Sequence, residues 1–391
     1  MVRWGLVAVL TALGPSFTAS GVAAQQAEVW RLSPQWTLDG PSPGSSFGSI
    51  NGVTITPSGR LFVLDAMNGR VSVVDAPSGT PIHGFSRLGQ GPGELSQTLA
   101  GITTLGEGSI AVNDLGSRRV VIWAEDGEST GGWPLSNGIP ANLGSITMRI
   151  AGSRGGLIKE VHPLPLVPGL SPKDTLEWPT LLRVTPSGNV EDTLHVFRDA
   201  EQPITMQGPT VATALYPPTP TWAASDALLL VGLTNSYSIT MISLDDRHGS
   251  RVISRDVEAR RLSAGEKRRL TERTLRAVPE GAPDITVVVP DMLPVIGSIL
   301  IDSEYGRIYV ARHIGLIDES SPEGRFSLTD EPGEQEAQMW DVFSRDGRYL
   351  AVLYAPPRFN LLAVLGDRFF GKALGEFGEP TLVALGLERS R

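Results

Sequence analysis

Five histidines, a pair of repeated carboxylates and a basic helical stretch are the residues of this chain whose types and spacing could support chemistry. The histidines are His83, His162, His195, His248 and His313, and none stands in the HExxH or HxH spacing that brings imidazoles onto one metal. His162 and His313 each follow the last residue of a predicted strand, Val161 and Arg312, so the fold could bring the two together. Asp65 and Asp114 recur 49 residues apart, each ahead of an arginine, Arg70 and Arg119. Facing each other across a hairpin tip, such opposite charges contribute about 0.2–1 kcal/mol. Ringed around the mouth of a channel, the same carboxylates would instead take a cation or a polar ligand, with Asn113 and Glu160 as further oxygen donors. Two copies in two repeats suit the structural role better. Arg312 occupies the place of Asp65 and Asp114 in a later copy, which breaks the charge symmetry of such a ring. Asp65, Asp114, His162, Arg312 and His313 are the expected ligand-binding positions, with no catalytic residue and no metal-ligand set assigned.

Other signatures exclude more than they suggest. Gly89 to Glu94 (GQGPGE) lacks the Lys-Ser/Thr of a phosphate loop, so it is expected to be a turn between repeats. No Gly-x-Ser-x-Gly elbow supports a serine hydrolase. The absence of cysteine removes disulfides, thiolate metal sites and cysteine nucleophiles. A stretch from Ser263 to Val278 carries Lys267, Arg268, Arg269, Arg273 and Arg276 against Glu266 and Glu272, and reads first as the solvated side of a helix.

The elements that must position these residues come from a repeat. Gly52-Val53-Thr54, Gly59, Val63, Asp65 and Arg70-Val71 recur as Gly101-Ile102-Thr103, Gly108, Val112, Asp114 and Arg119-Val120. In each copy two short apolar–polar runs flank a turn, Arg60 to Asp65 and Arg70 to Asp75 in the first. That is a hairpin, and a period of this length built from hairpins points to a β-propeller. Degenerate copies follow at 156–185, 227–244 and 306–344, with a last set of strands at 359–387. Counting them gives six units, while the period alone leaves room for six or seven. Ser263 and Glu266 are spaced as a capping box, so one amphipathic helix, about 262–280, is expected between the fourth and fifth units. Glu28 to Leu32 is expected to close the ring by pairing with the last unit.

Composition sets the outer limits. Of 391 residues 44 are glycine and 30 proline, scattered among apolar runs as many strands and turns require. Residues 1–24 have the form of a cleaved leader: Arg3, the apolar Leu6 to Leu13, and Val22-Ala23-Ala24 before Gln25. The apolar part is far short of the roughly 20 residues that span a bilayer. Residues 25–391 are then one exported domain, secreted or periplasmic. A net charge of −9 argues against nonspecific nucleic-acid binding.

The run Gly89-Gln90-Gly91-Pro92-Gly93-Glu94, followed by Gly-x-Ile/Leu-x-Val-x-Asp-x4-Arg-Val, resembles the six-bladed propeller family of exported bacterial proteins with NHL-like repeats. Trp340-Asp341-Val342-Phe343 with Asp346-Gly347-Arg348-Tyr349-Leu350 is similar to that family's penultimate blade. The resemblance covers nearly all of the mature chain and implies an all-β propeller, six blades of four antiparallel strands, with the one inserted helix. It implies little about activity, because related propellers include lactonases, amidating lyases and interaction modules. No ligand set of those enzymes maps onto positions here. The expected role is a non-catalytic platform for an extracytoplasmic peptide, glycan or protein partner. It would bind on the face where the long tips at 162–180 and 313–339 and the helix gather. No cofactor is expected. The alternative is a metal-dependent lactonase or lyase holding a divalent cation at the channel mouth.

Overall fold

The computed structural model describes residues 28–42, 44–135, 145–153, 156–163, 177–207, 210–245, 250–278, 284–312, 338–356, 359–375 and 378–388. Residues 1–24, expected to be a leader, lie outside them with His248, His313 and most of both long tips.

The chain opens with β1 (Glu28–Leu38) and then forms the sheet β2 (Gly52–Ile55), β3 (Arg60–Asp65), β4 (Arg70–Asp75), β5 (Pro81–Phe85). The next is β6 (Leu99–Thr104), β7 (Ile110–Asp114), β8 (Arg119–Trp123), β9 (Ser129–Pro134), followed by β10 (Ser145–Ser153), β11 (Gly156–Pro163), β12 (Thr180–Val184), β13 (Val190–Val196). A hairpin of β14 (Ile204–Gln207) and β15 (Thr210–Ala214) leads to the sheet β16 (Pro220–Ala224), β17 (Leu228–Leu233), β18 (Ser238–Ser243), β19 (Ser250–Ser254). Helix α1 (Ala264–Arg276) and β20 (Ile285–Val288) come next. The chain ends in β21 (Ile296–Ile301), β22 (Ile308–Arg312), β23 (Gln338–Phe343), β24 (Tyr349–Ala355), β25 (Asn360–Leu365), β26 (Arg368–Leu374) and β27 (Pro380–Glu388). With β1 these form one eight-stranded sheet, ordered β21-β22-β23-β24-β1-β27-β26-β25.

The first strands of successive sheets touch in a closed circuit: β2 meets β6, β6 meets β10, then β16, β21 and β25 follow, and β25 meets β2 again. Cores fill the gaps between neighbouring sheets. Phe62, Leu64, Val71 and Val73 of the first sheet share one core with Ile110, Val112 and Trp123 of the second. Leu61, Val63 and Val74, from the opposite face of the same strands, share another with Phe370, Leu382 and Ala384 near the C-terminus. Both faces of the hairpin are therefore buried. Arg60 to Asp65 shows almost unbroken burial where apolar–polar alternation was expected, because a sheet packed on both sides needs apolar residues throughout.

Closure runs through β1, with one difference from expectation. Arg31 to Leu38 pair antiparallel with β27, as a completing strand should. Glu28 to Arg31 pair in parallel with β24 of the preceding set, so β1 joins two sets of strands instead of finishing one. The crossovers hold a second surprise. β20 pairs in parallel with β15, so the segment before β16 and the segment after β19 together build a three-stranded satellite sheet, β14-β15-β20. Helix α1 packs against β20, its N-terminus closed by the expected box: Ser263 Oγ accepts from the Glu266 amide and the Glu266 carboxylate accepts from the Ser263 amide.

Candidate functional site

Two places hold charged side chains that the fold positions deliberately: the tips joining the second and third strands of each sheet, and the central cavity. At the first tip, β3 and β4 place Asp65 beside Arg70 in register. The carboxylate, 2% exposed, turns instead to its own backbone, accepting from the amides of Gly48 at 2.9 Å, Ser49 at 3.0 Å and Asn68 at 3.3 Å. Asp114, fully buried, does the same in the next sheet, accepting from the amides of Ser96 and Ser117 at 3.0 Å and from the Ser96 hydroxyl. These two aspartates pin the incoming crossover to the hairpin tip. Arg119 secures the neighbouring turn, where its guanidinium donates to the carbonyls of Gln90, Gly91 and Glu94 and holds GQGPGE in shape.

Arg312 is brought to a different partner. Its Nε and Nη2 donate to the two oxygens of Asp341 at 2.7 and 2.9 Å. The same carboxylate, fully buried, also receives Arg255, the Tyr237 hydroxyl at 2.7 Å and the Tyr349 hydroxyl at 3.1 Å. Burial, and then the Asp341 charge, push the Tyr237 hydroxyl up, so it stays a donor throughout the accessible pH range. This hub ties the β16–β19 sheet to β22–β24. His162 Nε2 donates to Glu160 Oε1, 2.6 Å away. Asp65, Asp114, His162 and Arg312 thus sit in separate clusters, and His313 lies outside the described residues.

The central cavity measures about 680 Å³ and is lined from the later halves of β2, β6, β10, β16, β21 and β25 down to the turns that follow them. Its walls mix apolar side chains, Ile102, Ile150, Ala223, Leu300 and Leu362 among them, with the hydroxyls of Thr54, Thr103 and Thr104. Its floor carries Asp226, Asp302, Glu304 and Arg345. Asp302, 1% exposed, accepts the amides of Glu304 and Gly366 at 2.9 and 2.8 Å, and burial pushes its carboxyl above the usual range. The crossovers meet the hairpin tips at the other end, as where Val295 donates to Thr234 at 2.7 Å. The turns that line the cavity lie at the opposite end of the strands from these tips.

One cation stands in the upper wall. Arg149 of β10 lies in register with Glu160 of β11, and its side chain is 44% exposed. Its guanidinium carbon is 4.7 Å from the ring centroid of Trp222, and Nη2 donates to the Trp222 carbonyl at 2.6 Å. Nε is 3.7 Å from Glu160 Oε2, which also accepts from the Trp222 indole at 2.7 Å. Burial works to raise the Glu160 carboxyl, but the His162 hydrogen bond, the Arg149 charge and the indole hold it below the usual range. Sequence reasoning named Glu160 and His162 but missed Arg149 and Trp222. An isolated arginine inside an apolar strand was the one available signal, and no repeat marked it. Among the described residues no group of three or more His, Asp or Glu could hold a metal ion.

No family model and no curated protein matches the chain. Solved structures do. A member of the DUF4221 family from Bacteroides vulgatus is similar over 94% of this chain and all of its own length, at 12% identity and a TM-score of 0.54. A protein from Bacteroides fragilis described as exported is similar over 93% of this chain and 99% of its own, at 10% identity and a TM-score of 0.52. A gluconolactonase from Xanthomonas campestris follows at 15% identity, 93% and 99% coverage and a TM-score of 0.45, too distant to carry an argument about chemistry. The structural neighbours are propeller-like, and together with the circuit of four-stranded sheets they give this chain its class: it is a β-propeller.

Proposed function

We propose that the chain is a six-bladed propeller that works outside the cytoplasm as a non-catalytic binding protein, taking its ligand in the central cavity. The observation that carries this reading is the cavity itself, bounded by the first strands of six successive strand sets. Division of the eight-stranded sheet between β24 and β1 supplies the fifth and sixth blades. A concave space of this size, with apolar walls interrupted by hydroxyl and charged groups, is a common form of small-ligand site. The leader at residues 1–24 supports export, and no helix among the described residues is long and apolar enough to cross a membrane.

Three carboxylates that the sequence offers to a cation are engaged by this chain's own groups: Asp65 and Asp114 by backbone amides, Glu160 by His162 and Trp222. Among the described residues no group of three or more His, Asp or Glu is placed to hold a metal, and His313 lies outside them. Elemental mass spectrometry on chain purified without chelators or affinity metal, combined with a lactone hydrolysis assay, separates the two. Substoichiometric calcium and zinc with no turnover is the expected outcome. About one equivalent of a tightly held divalent ion together with lactone turnover would replace this reading with the enzyme.

A further inference from the structure

The cavity's single wall cation is held more firmly than its exposure requires. Trp222 lies against the Arg149 guanidinium and its carbonyl accepts from Nη2, while Glu160 faces Nε. Glu160 is itself 3% exposed and fixed by His162 and the Trp222 indole. Stacked, bonded at one edge and faced by a buried carboxylate, the guanidinium loses little freedom when it meets a further anion. Pre-organisation of this kind lowers the entropy lost on contact, and the edge left open offers a hydrogen bond from one nitrogen. Nη1 has no partner among the described residues and is the donor left for that contact.

Building on the cavity reading above, we propose that Arg149 binds the carboxylate of a monoanionic ligand whose apolar body lies along the cavity wall. The body is set by Ile102, Ile150, Ala223, Leu300 and Leu362, which offer surface and no hydrogen bonds from their side chains. The charge count is set by the floor. Asp226 and Glu304 outnumber Arg345 there, so a second negative group at the far end of the ligand is repelled. The chemical class is thus an aliphatic or aromatic monocarboxylic acid, not a diacid.

Isothermal titration of the purified chain with octanoate, octanamide and octanedioate tests this directly. Octanoate should bind, and shortening it to heptanoate should weaken binding about fourfold, the value of one buried methylene. Octanamide and octanedioate should each bind at least tenfold more weakly. Arg149→Gln should bring octanoate down to the level of octanamide, Arg149→Lys should retain part of the preference, and Arg276→Ala on the far side of α1 should change nothing. Because Arg149→Gln leaves Glu160 without its cation, its fold must be checked. If it fails, the acid-to-amide comparison on the native chain and the Arg149→Lys result still decide. Equal affinity for acid and amide overturns the role of Arg149 while leaving the cavity a ligand site. No binding by any of the three overturns the ligand class. Lactone turnover would instead overturn the binding-protein reading on which this rests.

Discussion

Lys159 is fully buried on β11, its ammonium 3.3 Å from the Leu135 carbonyl and 5.7 Å from the centre of the Trp133 ring. Burial pulls its pKa down to about 8. The folded state therefore holds this proton less tightly than the unfolded chain, where lysine titrates near 10.4. The charged lysine costs stability fully below pH 8, and the cost disappears as pH rises from there to 10.5. At 1.36 kcal/mol per pH unit the effect is about 3 kcal/mol. Lys159→Met should therefore unfold at higher urea than the native chain at pH 7, and the gap should narrow by pH 10. A gap that stays constant between the two pH values would show that burial of the charge is not the cause. Residues of this kind were only partly legible. Asp65 and Asp114 stood out because the repeat printed them twice, yet their register beside Arg70 and Arg119 suggested ion pairs. The carboxylates turn to amides of the incoming loop, a choice made by loop geometry that spacing does not encode. Arg149 and Trp222 are 73 positions apart and belong to neighbouring blades, so nothing local connects them.

At the scale of elements, the strands and the helix were legible where the signal is local. Hairpins declared themselves by runs and turns, and α1 by its cap. The satellite sheet was not, because its strands are four or five residues long and β15 meets β20 across about seventy positions of sequence. No periodicity survives in so short a strand. The capping box also yields a prediction confined to its element. Glu266 accepts from the Ser263 amide and hydroxyl and from Arg260, which hold its carboxyl down at about 2, so the box stays ionised and intact at neutral pH. Ser263→Ala removes the acceptor for the Glu266 amide, a loss of about 1 kcal/mol in typical helices. Because α1 buries only Thr274, the effect should stay in the helix. Amide exchange in α1 should quicken about fivefold, the equivalent of that energy, while the blade strands keep their protection. Faster exchange throughout the blades would mean that the helix is part of the cooperative core.

A ring behaves differently from its parts, because opening any one joint exposes the cores on both sides of it. There is no cysteine to hold the ends, so β1 must do so without covalent help. Its hold is distributed. Trp30 sits in the core shared by β22–β24 and β26–β27, and the strand's hydrogen bonds run to β24 and β27. Trp36 reaches the first sheet: its indole donates to the Ala76 carbonyl at 3.1 Å, and its ring lies 6.0 Å from that of Phe370. The ring also covers Gly79, which turns with φ at +72° and where a β-carbon would come within 2.5 Å of the indole. Trp36 therefore touches the turn of the first blade and the strand of the last in one contact. Trp36→Ala removes that bridge, and a half-buried tryptophan is worth about 2 kcal/mol or more. Because the joint closes the ring, the loss should appear as a lower urea midpoint for the whole molecule, with exchange quickened in β3, β4 and β26 together. Val29→Ala, at a position 47% exposed on the same strand, controls for generic damage to β1 and should leave the midpoint almost unchanged. If Trp36→Ala instead loosens β1 alone and the other strands hold, closure rests on the packing of β25 against β2, and β1 only covers the outer edge of the last blade.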